Sequence, residues 1–477
     1  MNISLIKVRE PSVSIPEVTP PLGIMYLAGY LRKYRPGKDA IKIFDLSVQQ
    51  ENYVIESIKD ADIVGLSSTN RDGLYLSKVM KLIRKANTEC TLILGGPIVS
   101  SLMGELFDRF DIDCAVAYEG ERTFLEVVDK IDRGDMSFES IEGIVYKNDG
   151  ERFTGRREPI ENLDDELPFP AWDLVTESSL SEEYWKRKSF AFFRMEKRYM
   201  GLFTSRGCPY KCIYCHDIFA KRFRAHSAER VVAELEYLNT NFGYRDFEFY
   251  DDTFNFDKDR TRKICDLIIA KQLNINMYFP NGLRADRLEK DIVEKLAKAG
   301  TKVMCFAIET VSERLQKLLR RNLKFENINE MIQVAVDNGI HAEGFFMIGH
   351  PTETREEMLE TINFAAKSPL HSAAVSIAIP QKGTELYSKY IGDNSPQNLG
   401  EGYYEYSSSI SQVPPQEVRK LLSYTFRKFY LRPKRMLRII RTFPLSFIFS
   451  RRFMVQIAKW LDVVIPRLRL SSFLVDK

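Results

Sequence analysis

Residues 205–215 read Ser-Arg-Gly-Cys-Pro-Tyr-Lys-Cys-Ile-Tyr-Cys, and this stretch decides how the rest of the chain is interpreted. Three of the seven cysteines, Cys208, Cys212 and Cys215, lie here, directly after a short apolar segment that favours a β-strand. Thiolates at this spacing on one loop can converge on one metal centre, and sulfur is the donor that iron–sulfur clusters take. Three ligands are one fewer than the usual four, so one iron would stay open for a substrate or cofactor.

Two other interpretations of this loop stay open on residue chemistry alone. One is a structural zinc site, because His216 is adjacent and could act as a fourth ligand. Zinc sites, however, usually pair C-x2-C knuckles. The other is that the three thiols are unrelated.

The spacing C-x3-C-x2-C, with the aromatic Tyr214 before the last cysteine, resembles the signature of the radical S-adenosylmethionine (SAM) enzymes. The resemblance implies a [4Fe–4S] cluster on the three cysteines, whose remaining iron chelates the amino and carboxylate groups of SAM. It also implies cleavage of SAM to a 5′-deoxyadenosyl radical that removes hydrogen from an unactivated C–H bond. The electron would come from a reducing protein such as a flavodoxin or a ferredoxin.

Composition indicates an ordinary globular protein of two or three domains, with 477 residues, 44% hydrophobic and 28% charged. No apolar run reaches the roughly 18–20 residues of a membrane-spanning helix, and the first residues lack the features of a secretory signal. The four remaining cysteines stand singly in apolar surroundings and are predicted to be reduced core residues: Cys90, Cys114, Cys265 and Cys305. A cytoplasmic location is therefore expected.

Residues 1–145 alternate short apolar runs with helical patterns, which predicts an α/β domain with a doubly wound parallel sheet. The predicted strands span 3–8, 41–45, 63–67, 91–95 and 114–118, and the predicted helices span 22–33, 53–59, 74–85, 101–110 and 122–131. Such sheets bind ligands beyond the carboxyl ends of their strands. The candidate binding residues at those ends are Ser67, Ser68, Asn70, Arg71, Gly95, Gly96, Glu119 and Gly120.

This order of elements ahead of the cysteines resembles the cobalamin-binding domain of cobalamin-dependent radical SAM enzymes, with matching pieces at 20–23, 95–97 and 119–121. The resemblance implies that cobalamin binds at these strand ends. Because the first histidine is His216, this domain offers no imidazole to cobalt, whose lower face would lie near residues 67–71. Asn70 and Arg71 are the candidates to face cobalt. The alternative is a flavodoxin-like domain that binds nothing.

Residues 146–197 are predicted to form a hairpin and a linker. Asp149-Gly150 is a strong turn signal between two short strand patterns that span 141–147 and 151–154. Pro168 and Pro170 favour an extended connection, and Trp172 is predicted to pack between domains.

Residues 198–385 contain six strand–helix units, which predicts a partial (β/α)6 barrel with polar residues at the carboxyl ends of its strands. The resemblance assigns these residues to SAM. Tyr250-Asp251-Asp252 replaces the family's usual Gly-Gly-Glu and would contact the amino group, Arg284 would pair with the carboxylate, and Glu309 would bind the ribose hydroxyls. Main chain from 344 to 351 would line the adenine.

Alternatives stay open for several of these side chains. Asp251 and Asp252 could cap a helix, as Asp often does at a strand-to-helix junction. His216 and His350 are each placed to accept a proton from a substrate or product, or are simply packed neighbours.

Residues 386–477 are predicted to form a basic helical C-terminal region. From 431 to 477 there are eleven Lys and Arg against two Asp, interleaved with Phe, Leu, Ile and Trp. That pattern is typical of a segment that lies on a membrane surface, which would place the protein at the inner face of the membrane. The alternative is a helical cap over the barrel mouth with a solvated basic face. Nucleic acid binding is not expected.

Taken together, the residues and the resemblance predict a cobalamin-dependent radical SAM enzyme that transfers a methyl group to an unreactive carbon of a small-molecule or lipid-like substrate. One SAM would supply the methyl group and another the radical. Two alternatives remain: cyclisation or oxidative rearrangement without net methylation, and a non-catalytic corrinoid or redox sensor.

Overall fold

The structure is a computed structural model that describes residues 1–11, 18–186, 198–392 and 410–442. The chain divides into two compact units, residues 1–252 with 380–405, and residues 253–379 with 406–477. These units do not coincide with the domains drawn from the sequence, whose boundaries at 145, 197 and 385 stay predictions. The last predicted segment falls largely outside the described residues, since 443–477 are not among them.

The strands of the described residues are β1 (Asn2–Lys7), β2 (Ala40–Asp45), β3 (Ile63–Ser67), β4 (Thr91–Gly95), β5 (Cys114–Val116), β6 (Ile144–Lys147), β7 (Glu151–Phe153), β8 (Tyr199–Leu202), β9 (Ser205–Arg206), β10 (Arg224–Ala225), β11 (Asp246–Phe249), β12 (Asn276–Leu283), β13 (Thr301–Glu309), β14 (His341–Ile348) and β15 (Ser372–Ile377).

The helices are α1 (Leu22–Tyr34), α2 (Glu51–Ser57), α3 (Gly73–Ala86), α4 (Pro97–Ser101), α5 (Leu106–Arg109), α6 (Glu121–Asp132), α7 (Leu163–Glu166), α8 (Asp173–Thr176), α9 (Ser179–Lys186), α10 (Ala228–Phe242), α11 (Lys258–Ala270), α12 (Lys290–Lys298), α13 (Glu313–Leu318), α14 (Ile328–Asp337), α15 (Arg355–Lys367), α16 (Glu385–Tyr390), α17 (Pro415–Tyr430) and α18 (Pro433–Thr442). None of them is both long and apolar enough to cross a bilayer.

The first unit is built around a sheet with the strand order β2-β1-β3-β4-β5-β6-β7. Strands β1 to β5 are parallel, as the sequence predicts, and the 2-1-3-4-5 order places a topological switch point between β1 and β3. The predicted hairpin is confirmed as β6 and β7, which turn at Asp149 and Gly150 with positive φ. It also joins this sheet, because β6 pairs antiparallel with β5.

The core of this sheet follows the apolar period of its helices. On α3, residues at positions i, i+3, i+4 and i+7 are all buried: Leu76, Val79, Met80 and Ile83. They belong to one apolar cluster with Val64 and Leu66 of β3 and with Leu92 and Leu94 of β4. Apolar residues repeat about every 3.6 residues in the helices and every second residue in the strands. These two patterns allowed both element types to be predicted.

The helix predicted over 101–110 is wrong. The chain forms α4 and α5 instead, and between them Gly104 has a φ of +92°, outside the helical range. Leu102, Leu106 and Phe110 are nevertheless all buried in the same core, which is why their spacing resembled one continuous helix.

The six strand–helix units predicted downstream are confirmed in chain order. In the first unit, β8 pairs in parallel with β11. In the second unit, β12, β13, β14 and β15 pair successively in parallel. α17 packs on α15 in this unit, through a cluster that includes Val418 and Leu421 with Met358 and Ile362.

The linker residues 168–173 pack on helices of the first unit. The main-chain N–H of Ala171 donates to the Met25 carbonyl of α1 at 3.0 Å. Trp172 is buried, and its indole N–H donates to Glu234 of α10 at 2.9 Å, while its packing between domains stays a prediction. Burial raises the pKa of Glu234 to about 7, and nearby Arg230 opposes that rise. The four scattered cysteines are also buried, as predicted.

Gly96 fits a tight junction between the loops that follow β3 and β4. Its φ is +86°, and a Cβ there would lie 2.7 Å from the Ser68 carbonyl oxygen, whereas a Cβ on Gly95 meets nothing closer than 3.7 Å.

Gly96→Ala should therefore lower the free energy of unfolding by about 1–3 kcal/mol, and Gly95→Ala by much less. Urea unfolding of both variants measures this. Equal losses would contradict the steric argument.

Candidate active site

The switch point of the first sheet is where several predicted cobalamin residues meet. The Ser68 hydroxyl donates to the Val8 carbonyl at 3.1 Å, and the Ser68 N–H donates to the Gly95 carbonyl at 3.3 Å. Ser67 and Arg71 are half-buried, and Asn70 begins a 3-10 turn, Asn70–Asp72. The structure thus brings the predicted residues of β3 and β4 to one edge of the sheet.

Asn70 carries the signal that fits a ligand here. Its side-chain oxygen is buried and has no hydrogen-bond partner among the described residues. An unpaired buried acceptor is costly, so it indicates a donor that is supplied from outside the protein. The amide groups on the rim of a corrin are such donors, and the small residues beside Asn70 fit the close approach of a large flat ligand.

The glutamates of the loop after β5 bind arginines that lie later in the chain. Glu119 accepts from Arg206 at 3.0 Å and from Arg224, also at 3.0 Å. Glu121 accepts from Arg206 at 2.5 Å. All four side chains are at most 8% exposed, so two carboxylates and two guanidinium groups form a buried neutral cluster, here called the arginine–glutamate cluster.

The charges of this cluster hold one another ionised. Burial alone would raise the pKa of Glu121, but the adjacent Arg206 lowers it below its ordinary value. Burial would likewise lower the pKa of Arg206, and the two glutamates raise it. Because the Glu119 side chain is committed to arginines, a contribution of residues 119–120 to cobalamin binding would come from their main chain and stays a prediction.

The cysteine loop starts directly after Arg206. A Cβ on Gly207 would lie 2.2 Å from the Arg222 carbonyl oxygen, and its φ is +77°, so only glycine fits between Arg206 and Cys208. Further along, the N–H of Cys215 donates to the Cys212 carbonyl at 3.2 Å, and the Ile213 carbonyl accepts from Leu386 at the start of α16. The loop is thus anchored at both ends.

The three thiols fit a cationic cluster as their partner. Burial raises the pKa of Cys215 to about 12, and Asp252, Cys212 and Cys208 raise it further against the opposing Lys221. Three neighbouring thiolates need positive charge among them. Among the described residues, no three His, Cys, Asp or Glu side chains enclose one point as the ligands of a single ion do. Cysteines that each bind a different iron of a four-iron cluster need no such convergence.

Asp251 binds the chain just ahead of the cysteines. It is buried, and it accepts from the Thr204 N–H at 3.1 Å, from the Thr204 hydroxyl at 2.8 Å and from the Ser205 hydroxyl. Helix capping is not its role, because Asp257 caps α11. These contacts make Asp251 a positioning residue for the loop, and its predicted contact with SAM stays a prediction.

The neighbours of Asp251 differ from it. The Tyr250 hydroxyl donates to Glu248. Asp252 is half-buried, and its carboxylate lies 3.5 Å from Nε2 of the exposed His216. Asp252 and His216 therefore stand beside the cysteine loop in the first unit, where either could meet a bound ligand.

In the second unit, the predicted residues Arg284 and Glu309 follow β12 and end β13. Arg284 is buried, and its guanidinium donates to Asp286 at 2.8 Å and to the Arg321 carbonyl at 2.9 Å. Asn255 in turn binds both main-chain polar groups of Arg284, at 2.9 and 3.0 Å. The structure thus gives Arg284 partners within the protein.

Glu309 has a strained backbone. Its φ is +69°, a left-handed conformation rare for a residue with a side chain, and the β13–β14 register shifts at this point. Strain of this kind at the end of a barrel strand typically marks a functional site. Burial raises the pKa of Glu309, and Arg321 opposes the rise.

The loop after β14 is held by a carboxylate that sequence reasoning did not select. One oxygen of the buried Glu353 accepts from the N–H groups of Gly349 and His350, at 2.6 and 2.8 Å. Burial raises the pKa of Glu353 to about 8. Burial also lowers the pKa of His350 to about 4, so its imidazole is neutral at pH 7. A role for His350 as a base stays a prediction.

Known proteins resemble both parts of the chain. Residues 202–365 match the Radical SAM superfamily and residues 12–128 match the B12 binding domain. The chain is 32% identical over 427 residues to an uncharacterized methyltransferase of Pyrococcus horikoshii, a match that covers 87% of this chain and 88% of the relative. This chain is a member of the cobalamin-dependent radical SAM enzyme family.

Two further relatives of this radical SAM enzyme are named for different activities. The cytidylyl-2-hydroxyethylphosphonate methyltransferase of Streptomyces wedmorensis is 26% identical, with 88% of each chain covered. The anaerobic magnesium-protoporphyrin IX monomethyl ester cyclase of Rubrivivax gelatinosus is 26% identical, over 78% of this chain and 66% of the cyclase.

Solved structures show the same fold. The radical SAM methyltransferase TsrM of Kitasatospora setae, solved with cobalamin and a [4Fe-4S] cluster, has a TM-score of 0.66 at 15% identity, over 82% of this chain and 74% of TsrM. The cobalamin-dependent enzyme OxsB, with aqua-cobalamin and SAM, has a TM-score of 0.65 at 20% identity, over 81% of this chain and 55% of OxsB. The predicted fold class is confirmed.

The cofactors of this radical SAM enzyme are therefore a [4Fe–4S] cluster, SAM and cobalamin, as predicted. Family membership favours the iron–sulfur cluster over the zinc and unrelated-thiol interpretations of the cysteine loop. It also favours a cobalamin domain over a domain that binds nothing.

Sequence reasoning missed Arg206, Arg224 and Glu353, and it named Glu121 only as part of the matching piece 119–121. Arg206 stands inside the quoted stretch 205–215, two residues before the first cysteine of the loop. Nothing in the sequence shows that Arg224 approaches Glu119, because 104 intervening residues separate them and only the fold joins them.

The arginine–glutamate cluster generates a stability prediction. Arg206→Ala would leave two buried carboxylates short of a partner and should lower the free energy of unfolding by about 3–5 kcal/mol. Arg222→Ala is the matched control, because its ion pair with Glu161 is exposed and should contribute less than about 1 kcal/mol. Chemical denaturation of both variants measures this, and similar losses would contradict the claim that burial sets the cost.

Substitutions of Asp251 and Asp252 should change different measured properties of the protein. Asp251→Ala removes the carboxylate to which the buried groups of Thr204 and Ser205 donate, which should cost about 1–3 kcal/mol and lower the iron content per chain after reconstitution. Asp252→Ala should keep the iron and weaken SAM binding by roughly tenfold, the cost of one charged hydrogen bond. Iron analysis and calorimetric titration with SAM distinguish them. Normal iron in Asp251→Ala would refute its positioning role.

Proposed function

We propose that this enzyme methylates an unactivated carbon of a small-molecule or lipid-like substrate. One observation carries the proposal. The loop 119–121 of the cobalamin domain is bonded through Glu119 and Glu121 to Arg206, and only Gly207 separates Arg206 from the first cluster cysteine. Methyl transfer to carbon requires the methyl carrier and the radical source to reach the same substrate carbon, and this junction couples the two loops that would hold them.

The relatives favour methylation over the alternatives. The alignment with this chain covers 88% of the Pyrococcus methyltransferase and 88% of the Streptomyces methyltransferase. It covers 66% of the Rubrivivax cyclase. Cyclisation or oxidative rearrangement is the second candidate, and the cyclase relative is what favours it. A non-catalytic sensor is not favoured, because relatives across both domains bear the names of enzymes.

Each group of residues has its own role in this proposal. When bound, the cluster and SAM supply the radical that removes hydrogen, and cobalamin supplies the methyl group. Cys208, Cys212 and Cys215 hold the cluster, and Asp251 holds the chain that leads into them. Asp252 accepts from the ammonium of SAM, and His216 beside it is placed to take a proton.

The resemblance proposes further contacts to SAM from residues later in the chain. Glu309 accepts from the ribose hydroxyls, and the main chain of 344–351, kept in place by Glu353, binds the adenine. Arg284 holds the loop after β12 through Asp286, and its pairing with the carboxylate of SAM stays a prediction. The electron donor is a flavodoxin or a ferredoxin.

The products of SAM distinguish the candidate reactions. Anaerobically reconstituted protein with cobalamin, SAM and dithionite should release both 5′-deoxyadenosine and S-adenosylhomocysteine, measured by liquid chromatography and mass spectrometry. Replacing any one of the three loop cysteines with Ala should reduce 5′-deoxyadenosine to background, because each removes a cluster ligand.

Cys90→Ala is the matched control, since this buried cysteine lies outside the loop and should keep 5′-deoxyadenosine formation within about twofold. Release of 5′-deoxyadenosine without S-adenosylhomocysteine would favour rearrangement over methylation. Release of neither product would refute both enzymatic candidates.

A further inference from the structure

Helix α18 is attached to the second unit by its basic face. Arg432, just before the helix, donates to the Ala366 carbonyl at 2.5 Å, and Arg435 donates to Ala366 and Ser368 at 2.8 and 2.9 Å. Arg438 donates to the Pro369 carbonyl. These carbonyls lie at the C-terminal end of α15, where the helix dipole is negative. The guanidinium of Arg435 also stacks 3.6 Å from the ring centre of Phe429.

The opposite face of α18 is apolar and exposed. Met436 is 43% exposed and Leu437 is 50% exposed. Lys434 and Arg441 are also exposed. At 100° per residue they border the face that carries Met436 and Leu437. This is the reverse of an ordinary surface helix, which buries its apolar face and solvates its charges.

We propose that α18 docks on the surface of an anionic lipid bilayer, with Met436 and Leu437 entering the interface and Lys434 and Arg441 facing the headgroups. Charge complementarity argues for this occupant. From 431 onward the sequence has eleven Lys and Arg against two Asp, whereas the whole chain has a net charge of only +3. An apolar face bordered by basic residues is the composition that binds anionic bilayers.

Nucleic acid fits this surface less well. A phosphate backbone binds basic side chains and gains nothing from exposed Met and Leu. The solvated basic cap that the sequence left open is also not what α18 shows, because Arg432, Arg435 and Arg438 are turned to main-chain carbonyls. The inference does not depend on which reaction the enzyme catalyses.

Sedimentation with lipid vesicles tests the proposal on the full chain. The protein should bind vesicles of phosphatidylcholine with about 30% phosphatidylglycerol, and weakly bind vesicles of phosphatidylcholine alone. The double variant Met436→Glu with Leu437→Glu should reduce binding by at least roughly tenfold, since it removes the apolar contribution and adds repulsion. Leu437→Phe should keep binding, which controls for damage to the helix.

The matched control is the double variant Leu74→Glu with Met136→Glu, because these residues are exposed to a similar degree on the first unit, at 63% and 50%. It should bind vesicles as the unaltered chain does. Equal loss in both double variants, no binding to anionic vesicles, or release of bound protein by added RNA with retention of that RNA would each overturn the proposal.

Discussion

The structure of the first unit depends on a buried ion-pair arrangement in which Arg206 binds both Glu119 and Glu121 and Arg224 completes the charge balance. Removing four charges from water is expensive, and apolar residues of similar volume would often be at least as stable. What the charges add is a fixed orientation, because a guanidinium donates well to a carboxylate only from certain directions. The cluster therefore specifies how the loop after β5 meets the strand that leads into the cysteines.

Several conspicuous acidic and basic residues, among them candidates for ligand contact, have partners within the protein. Glu119, Asp251 and Arg284 each bind other parts of the chain, as does Glu353. A radical that removes hydrogen from unactivated carbon would also attack misplaced protein groups, so loops that hold it must be fixed before it forms. Asn70 has an unpaired side-chain oxygen among the described residues and Glu309 has a strained backbone, and both stay candidates for ligand contact.

Much of the fold could be predicted from the sequence because the local apolar pattern of each element agrees with its place in the folded protein. The strands β3 and β4 have the predicted bounds, since each is a short apolar run that ends at small or polar residues. The helix over 101–110 was mistaken because one glycine changes the backbone direction while the buried side chains keep a helical spacing. The three cysteines were predicted because their chemistry needs close spacing in sequence, whereas the partners of Glu119 come from residues 206 and 224 and carry no local signal.

Helix α18 also shows a structural property that sequence periodicity does not determine. Periodicity indicates that a helix has an apolar face and a basic face, but it does not indicate which face the protein covers. The usual answer is the apolar face, because buried arginine needs partners for its donors. The end of α15 supplies partners for some of those donors, since the last carbonyls of a helix have no intrahelical donor, although Nε and Nη1 of Arg435 have no partner among the described residues. Arg435 and its neighbours satisfy these carbonyls, and the apolar face is left outward as a consequence. Unpaired main-chain acceptors at one helix end thus determine which surface the next helix presents to its surroundings.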